Sequence, residues 1–206
     1  MKKIVIASNN TAKLREFAEM LQPLGLTAIP QREFNIPEAA EPHVTFIENA
    51  LAKARHASRL TRLPALADDS GICAVALCGA PGVYSAHYAN QTNVASRQKN
   101  DARNNEKLVT ELSQHTDKRA YYVCVLVFIT HADDPRPIIA ESECWGEIIS
   151  TPRGHGGFGY DPYFYMPKFG CTAAELAPDV KNRVSHRGLA LALLVEKLSQ
   201  QQAFPA

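Results

Sequence analysis

Pro64-Ala65-Leu66-Ala67-Asp68-Asp69-Ser70-Gly71 ends an apolar run in two carboxylates, a hydroxyl and a glycine, the pattern of a buried strand running into a reactive turn. Successive side chains on an extended backbone point to opposite faces, so Asp68 and Asp69 do not make a matched acid/base pair. The reading predicts that one carboxylate faces a site and the other holds the turn. An ordinary acidic turn capped by Ser70 and Gly71 has the same composition, so the rest of the chain must decide between the two.

Upstream, Ile4-Val5-Ile6-Ala7 is a second buried-strand run that stops at Ser8-Asn9-Asn10. Leu14, Phe17, Ala18 and Leu21 then fall at helical spacing, with Asn10 or Thr11 placed to cap and Pro23 to end the helix. Ser8, Asn9, Asn10 and Lys13 thus sit at a helix N-terminus, where backbone N–H groups and the dipole favour a phosphate. A capped surface helix with one solvated lysine fits the same residues. The loop lacks the glycines of a P-loop, which disfavours a Walker-type NTPase.

Residues 26 to 44 read as a strand and then an acidic, proline-broken loop, whose Glu33, Glu38 and Glu41 offer carboxylates to a metal. Thr45 and Glu48 have capping-box spacing, and Phe46, Ala50, Ala54 and Ala57 form one stripe, so a second helix runs to about Leu60. Lys53 and Arg55 lie on its other faces, as solvated charges or as phosphate contacts.

Downstream of the acidic pair, Ile72 to Leu77 reads as a further strand and Gly79-Ala80-Pro81-Gly82 as a turn. Residues 88 to 105 are polar and weakly patterned, and a short helix carrying Leu108, Val109 and Leu112 follows. Tyr121 to Ile129 and Ile139 to Ile149 read as two strands joined by a tight connection, His131 to Pro137, and hence as an antiparallel hairpin. Gly154, Gly156, Gly157 and Gly159 surround Phe158 and precede Tyr160 and Asp161. Such a loop lets backbone approach a ligand while Phe158 or Tyr160 stacks on a flat ring. Thr172 and Glu175 repeat the capping-box spacing, Lys181 lies in a polar linker, and Ser185 caps a last helix. Its run Leu189 to Val195 is apolar on nearly every face, as if buried against the sheet. Arg187 is unfavourably placed in the first turn of that helix, where a cation needs an anionic partner.

At 206 residues the chain is one large domain or two lobes around a common sheet, able to bury roughly 70% of its unfolded surface. Its 22 Lys+Arg against 21 Asp+Glu leave no broad field for a nucleic-acid backbone or an anionic membrane, so any anion must be held by a local cluster. Five cysteines without C-x-x-C spacing are expected to be free thiols of a reducing cytosol. No apolar run has the length of a membrane span, and the run after Met1-Lys2-Lys3 is too short for a signal-peptide core, so a cytoplasmic protein is expected. Mixed strands and helices with a hairpin predict an α/β fold with a mixed sheet, closing in two lobes on a cleft.

Five motifs stand in order: S-N-N-T-A-K (8 to 13), T-F-I-E-N-A-L-A-K-A (45 to 54), A-D-D-S-G (67 to 71), G-G-F-G-Y-D-P (156 to 162) and S-H-R-G (185 to 188). Together, over almost the whole chain, they resemble the Ham1/RdgB-like inosine/xanthosine triphosphate pyrophosphatases. The resemblance implies an elongated mixed sheet flanked by helices, with a nucleotide cleft between two lobes of a single 1–206 catalytic domain. It also implies a homodimer and Mg²⁺-dependent hydrolysis of ITP, dITP and XTP to the monophosphate and pyrophosphate. On this sequence Ser8, Asn9, Asn10, Thr11, Ala12 and Lys13 would bind the triphosphate, with Lys53 as a further substrate contact. Asp69 would be general base and metal ligand, and Ser70 a substrate contact. Phe158, Gly159, Tyr160, Asp161, Lys181, His186 and Arg187 would hold the nucleoside end. Two positions depart from the family pattern. Ala40 stands where a metal-binding glutamate is usual, leaving Glu41, then Glu38, as substitutes, and His87 replaces a usual arginine. A Maf-like pyrophosphatase with other base choice and a nucleotide-binding protein without turnover are the competing readings.

Overall fold

The computed structural model of the chain describes residues 2–89 and 97–200. The part of the weakly patterned stretch that spans 90–96 lies outside them, and so do the side chains of Thr11 and Ala12. Seven strands form one mixed sheet in the order β2-β1-β3-β4-β5-β6-β7. In chain order these are β1 (Lys2–Ile6), β2 (Leu26–Pro30), β3 (Ala65–Ala74), β4 (Arg119–Ile129), β5 (Ile138–Ile148), β6 (Phe164–Met166) and β7 (Cys171–Thr172). The helices are α1 (Thr11–Leu21), α2 (Phe46–Thr61), α3 (Arg97–Ser113), α4 (Pro178–Val184) and α5 (His186–Gln200). β1 lies parallel to both β2 and β3, each reached through a helical crossover, whereas β6 pairs antiparallel with β5 and β7. The 130–137 link joins sheet neighbours β4 and β5 and is too short for a crossover, as a hairpin requires.

The chain groups into two compact units. The first contains the residues up to Asp69 together with 124–142 and those from Arg187 on. Ile4, Ile6, Leu66, Leu126 and Phe128, alternate residues of three strands, meet Leu14, Phe17 and Leu21 of α1 and Leu191, Leu194 and Leu198 of α5. Phe17 and Leu21 are wholly buried, each contributing about 1.5–3 kcal/mol of transfer free energy. Ala18, expected on this stripe, is exposed, because Leu14, Phe17 and Leu21 already fill the contact. The second unit, 70–123 and 143–186, packs Ile72, Leu108, Leu112, Ile148, Tyr160 and Phe164 together.

Four expectations are corrected. Asp68, Asp69 and Ser70 are not a turn: β3 runs through them as one strand of 10 residues, and the separate strand expected at 72–77 is its end plus a 3₁₀ turn, Val75–Leu77. The carboxylates can remain inside a strand because each has a lysine partner and needs no water. The helix expected around Leu108 begins at Arg97. Its buried face includes Asn104 and Asn105, whose amides serve neighbouring backbone, so its apolar period is broken. Glu175 accepts the Thr172 N–H and hydroxyl, which is only one half of the expected capping box, and the contact closes a turn, with Arg153 also holding Glu175; the next helix, α4, starts at Pro178 and contains Lys181. Finally, α5 buries one face only, leaving Leu189 and Leu193 about two-fifths exposed at 38% and 40%.

Candidate active site

Alternation along β3 sends its two carboxylates to different neighbours. Asp68 follows Leu66 onto the face covered by α1 and α5, where its Oδ2 accepts the Lys13 ammonium at 2.5 Å and lies 3.9 Å from Arg187 Nε. Asp69 meets α2 instead: Lys53 donates to Oδ1 at 2.9 Å and Asn49 to Oδ2 at 3.4 Å. Thr45 caps that helix by accepting the Glu48 N–H, as the capping-box spacing predicts, and donates its hydroxyl to the Glu48 carboxylate, which fixes where Asn49 and Lys53 emerge. The Lys53 ammonium also lies 3.2 Å from Glu41 Oε1, so two carboxylates of different segments converge on one cation.

These surroundings separate the acidities of adjacent residues. Burial pushes the Asp69 carboxyl up, and the Glu41 and Asp68 charges add to this against the pull of Lys53, so it titrates at about 6. Burial would raise Asp68 as well, but Lys13, Arg187 and Lys53 outweigh it and hold that carboxyl well below the usual range. Burial works against the Lys53 ammonium too, yet Asp68, Asp69 and Glu41 outweigh it and keep it charged. One permanent anion beside one carboxylate poised near neutrality is the arrangement acid–base chemistry needs. The partner of the awkwardly placed Arg187 is Asp68.

Beside the pair is an open polar depression of about 170 Å³ lined by Ser8, Asn9, Asn10, Lys13, Glu38, Glu41, Lys53 and Asp68, among others. Asn10 caps α1 by accepting the Lys13 N–H at 3.4 Å and itself donates to Ser8 Oγ at 3.2 Å, so the first turn of α1 faces this depression. Asn9 donates to Glu38 at 2.7 Å. Asp68 rather than Asp69 lines the depression; Asp69 is joined to its wall by Lys53. A phosphate entering here meets two ammonium groups and a helix N-terminus. Ser70 follows Asp69 along β3 and is half-buried.

In the second unit the glycine loop is organised by Asp161, which is 4% exposed. Its Oδ2 accepts Lys181 Nζ at 2.5 Å and the Phe158 N–H at 2.8 Å, and its Oδ1 accepts the Tyr122 hydroxyl at 3.3 Å. Gly157 adopts φ 74°, and a Cβ there would collide with Asp161 and Lys181, so only glycine fits. Of the two rings offered for stacking, Tyr160 is buried in the core with its hydroxyl on Ser85 O, whereas Phe158 is half-buried under the Lys181 ammonium, 5.5 Å from its ring centre. His186 is buried and stacks on Tyr122.

Four contributors were not singled out from the sequence. Asn49 reaches Asp69, and Tyr122 reaches His186 and Asp161. Asp101 and Asn105, one turn apart on α3, hold the N–H and the carbonyl of Gly159 at 3.0 and 2.9 Å. The i, i+4 spacing of Asp101 and Asn105 was the one available signal.

Comparison with known proteins gives concordant matches. The Ham1 family profile matches residues 4–197. A dITP/XTP pyrophosphatase of Ralstonia nicotianae is 65% identical over 198 residues, covering 96% of this chain and 97% of the relative. One from Nitrosomonas europaea is 56% identical over 205 residues, covering 100% and 98%. Among solved structures, a HAM1 protein from Coxiella burnetii superposes with a TM-score of 0.90 at 45% identity, over 97% of this chain and 100% of that one. With the mixed open sheet and the profile match in agreement over nearly the whole length, the chain belongs to the Ham1 family.

Proposed function

We propose that this protein hydrolyses non-canonical purine nucleoside triphosphates, ITP, dITP and XTP, to the nucleoside monophosphate and pyrophosphate, with residues 1–206 acting as a single catalytic domain. The observation that carries the chemistry is the Asp69 carboxyl, pushed toward neutrality by burial, sharing the Lys53 ammonium with Glu41 and lying beside a depression at a helix N-terminus that holds the Lys13 and Lys53 ammonium groups. The substrate class follows from the names of the relatives, both dITP/XTP pyrophosphatases.

In this reading water attacks the α-phosphorus, the α–β anhydride bond breaks, and pyrophosphate leaves with the bonding pair. Asp69 takes the proton of the attacking water, and Lys13 and Lys53 neutralise the phosphate oxygens. Ser8 to Lys13 contribute N–H groups and hydroxyls to the triphosphate, with Ser70 beside the base. Phe158 to Asp161, Lys181, His186 and Arg187 are assigned to the nucleoside end by the family resemblance. Asp69 and Glu41 already converge on one cation, the Lys53 ammonium, so they are the residues that would hold Mg²⁺, a hard ion satisfied by one or two carboxylates plus phosphate oxygens. When bound, the ion would supply charge stabilisation to the phosphates and acidify water. The resemblance extends the proposal to a homodimer working in the cytoplasm, checked by light scattering and fractionation.

Pyrophosphate release with dITP, XTP, ATP and dTTP tests the reading. dITP and XTP are expected far ahead of ATP, because adenine presents an amino donor where hypoxanthine and xanthine present the 6-oxygen acceptor. Fast dTTP turnover would favour a Maf-like choice of base, and binding without release a non-catalytic protein. A second result concerns the metal: Glu41→Gln is expected to raise the Mg²⁺ concentration for half-maximal activity at least about threefold, the loss of one charged oxygen donor. If Glu38→Gln moves that concentration and Glu41→Gln does not, the ligand is Glu38.

A further inference from the structure

We propose that Tyr122 is a positioning residue for the nucleoside end of the substrate, a role that rests on the functional reading above. No residue assigned to that end by the five motifs lies on β4, yet this one side chain contacts two of them directly. Its ring lies flat on the His186 imidazole, with centroids 4.6 Å apart and planes 6° from parallel. Its hydroxyl donates to Asp161 Oδ1 at 3.3 Å.

Through Asp161 its influence reaches two more. The other oxygen of that carboxylate holds the Lys181 ammonium and the Phe158 N–H. Tyr122 itself is fixed by Phe164, whose ring meets it at 4.7 Å and 60°, and by its place in an 11-residue strand flanked on both sides by other strands. A loop with several glycines and a helix N-terminus are otherwise poor at holding side chains to a fraction of an ångström; a ring on a central strand supplies the rigidity they lack. Tyr122 thereby sets the His186 plane and, through Asp161, the Lys181 and Phe158 positions in one unit.

The two contacts can be removed separately. Tyr122→Phe keeps the stacked ring and loses the donor; Tyr122→Leu loses both. With dITP and Mg²⁺, KM is expected to rise about threefold in the first variant and about tenfold or more in the second, as one hydrogen bond and then an aromatic pair are lost. kcat at saturation should stay within about twofold, because a residue acting on the nucleoside end leaves the Asp69 chemistry untouched. The preference for dITP over ATP should fall in the same order. A lowered melting temperature with KM and selectivity unchanged in folded Tyr122→Phe would overturn the role, as would equal loss of kcat and kcat/KM. If the leucine variant does not fold, the phenylalanine variant decides. Wild-type protein inactive on both dITP and XTP would instead overturn the functional reading and the inference with it, whereas active wild type with unaltered variants overturns the inference alone.

Discussion

Asp69→Asn is expected to lower dITP and XTP turnover by about 10² to 10⁴, the range for loss of a general base, while the protein stays folded. The amide keeps the size of the carboxylate and its oxygen can still accept from Lys53, at the cost of the weaker Asn49 contact, so what disappears from the chemistry is the capacity to accept a proton. Asp68→Asn should cost less turnover when both are measured below their melting transitions, because Asp68 is held as a permanent anion among cations. Equal losses in the two variants would overturn this assignment of roles. The pH dependence follows from the Asp69 carboxyl titrating at about 6. Mg²⁺ held by this carboxylate favours its charged form, so wild-type kcat/KM should be on its plateau above that value and fall with an apparent pKa at or below it, while the residual rate of Asp69→Asn stays flat. Stability moves the other way. A carboxyl raised from about 3.9 when unfolded binds more protons in the folded state between pH 4 and 6. Its charged form therefore opposes folding above pH 6, and this penalty is relieved as the pH falls toward 4. In metal-free buffer the asparagine variant should be at least as stable as wild type at pH 8, with the difference narrowing over that window. A variant less stable at pH 8 and equal at pH 5 would show that burial does not control this carboxyl.

The same residues show what a sequence can and cannot disclose. Ile4 to Ala7, Tyr121 to Ile129 and the Thr45 to Glu48 box were readable because strand runs and helix caps are local patterns. The acidic pair was located but given the wrong backbone. Two adjacent carboxylates signal solvent unless cations are brought to them, and Lys13, Lys53 and Arg187 come from three different helices. α3 was hidden for a related reason: Asn104 and Asn105 take buried positions that an apolar stripe would have marked. Tyr122 reads as one more apolar strand residue, and only the sheet places His186 and Asp161 against it. Local elements are thus written in short windows, whereas the electrostatics of the site arise from contacts such as Lys13–Asp68, 55 residues apart.

The largest stability effect is expected at Asp68. Its carboxylate is 2% exposed and joins the Lys13 ammonium, itself mostly covered, to an Arg187 guanidinium whose side chain is 6% exposed. Such a cluster contributes little net stability relative to an apolar packing, yet removing its one anion takes the counter-charge from two covered cations, and breaking a buried pair in this way typically costs about 3–5 kcal/mol. Asp68→Ala leaves two cations facing each other where an anion stood, within a total stability of roughly 5–15 kcal/mol. For a chain of this size that is a fall in melting temperature of roughly 6–20 °C. The carboxyl is held below its unfolded value, so its contribution is complete at neutral pH and is lost only as the pH falls below about 4. The wild type and Asp68→Ala should therefore differ most from pH 5 to 8 and converge in acid, opposite to the behaviour at Asp69. Adding Lys13→Met to Asp68→Ala removes one of the two cations that lost this counter-charge and should recover part of the loss, a coupling that a double-mutant cycle in urea reads directly. Strictly additive losses would show that Lys13 and Asp68 do not stabilise one another. An unchanged urea midpoint in Asp68→Ala would remove Asp68 from the framework altogether and leave the separation of the two carboxylates without its structural half.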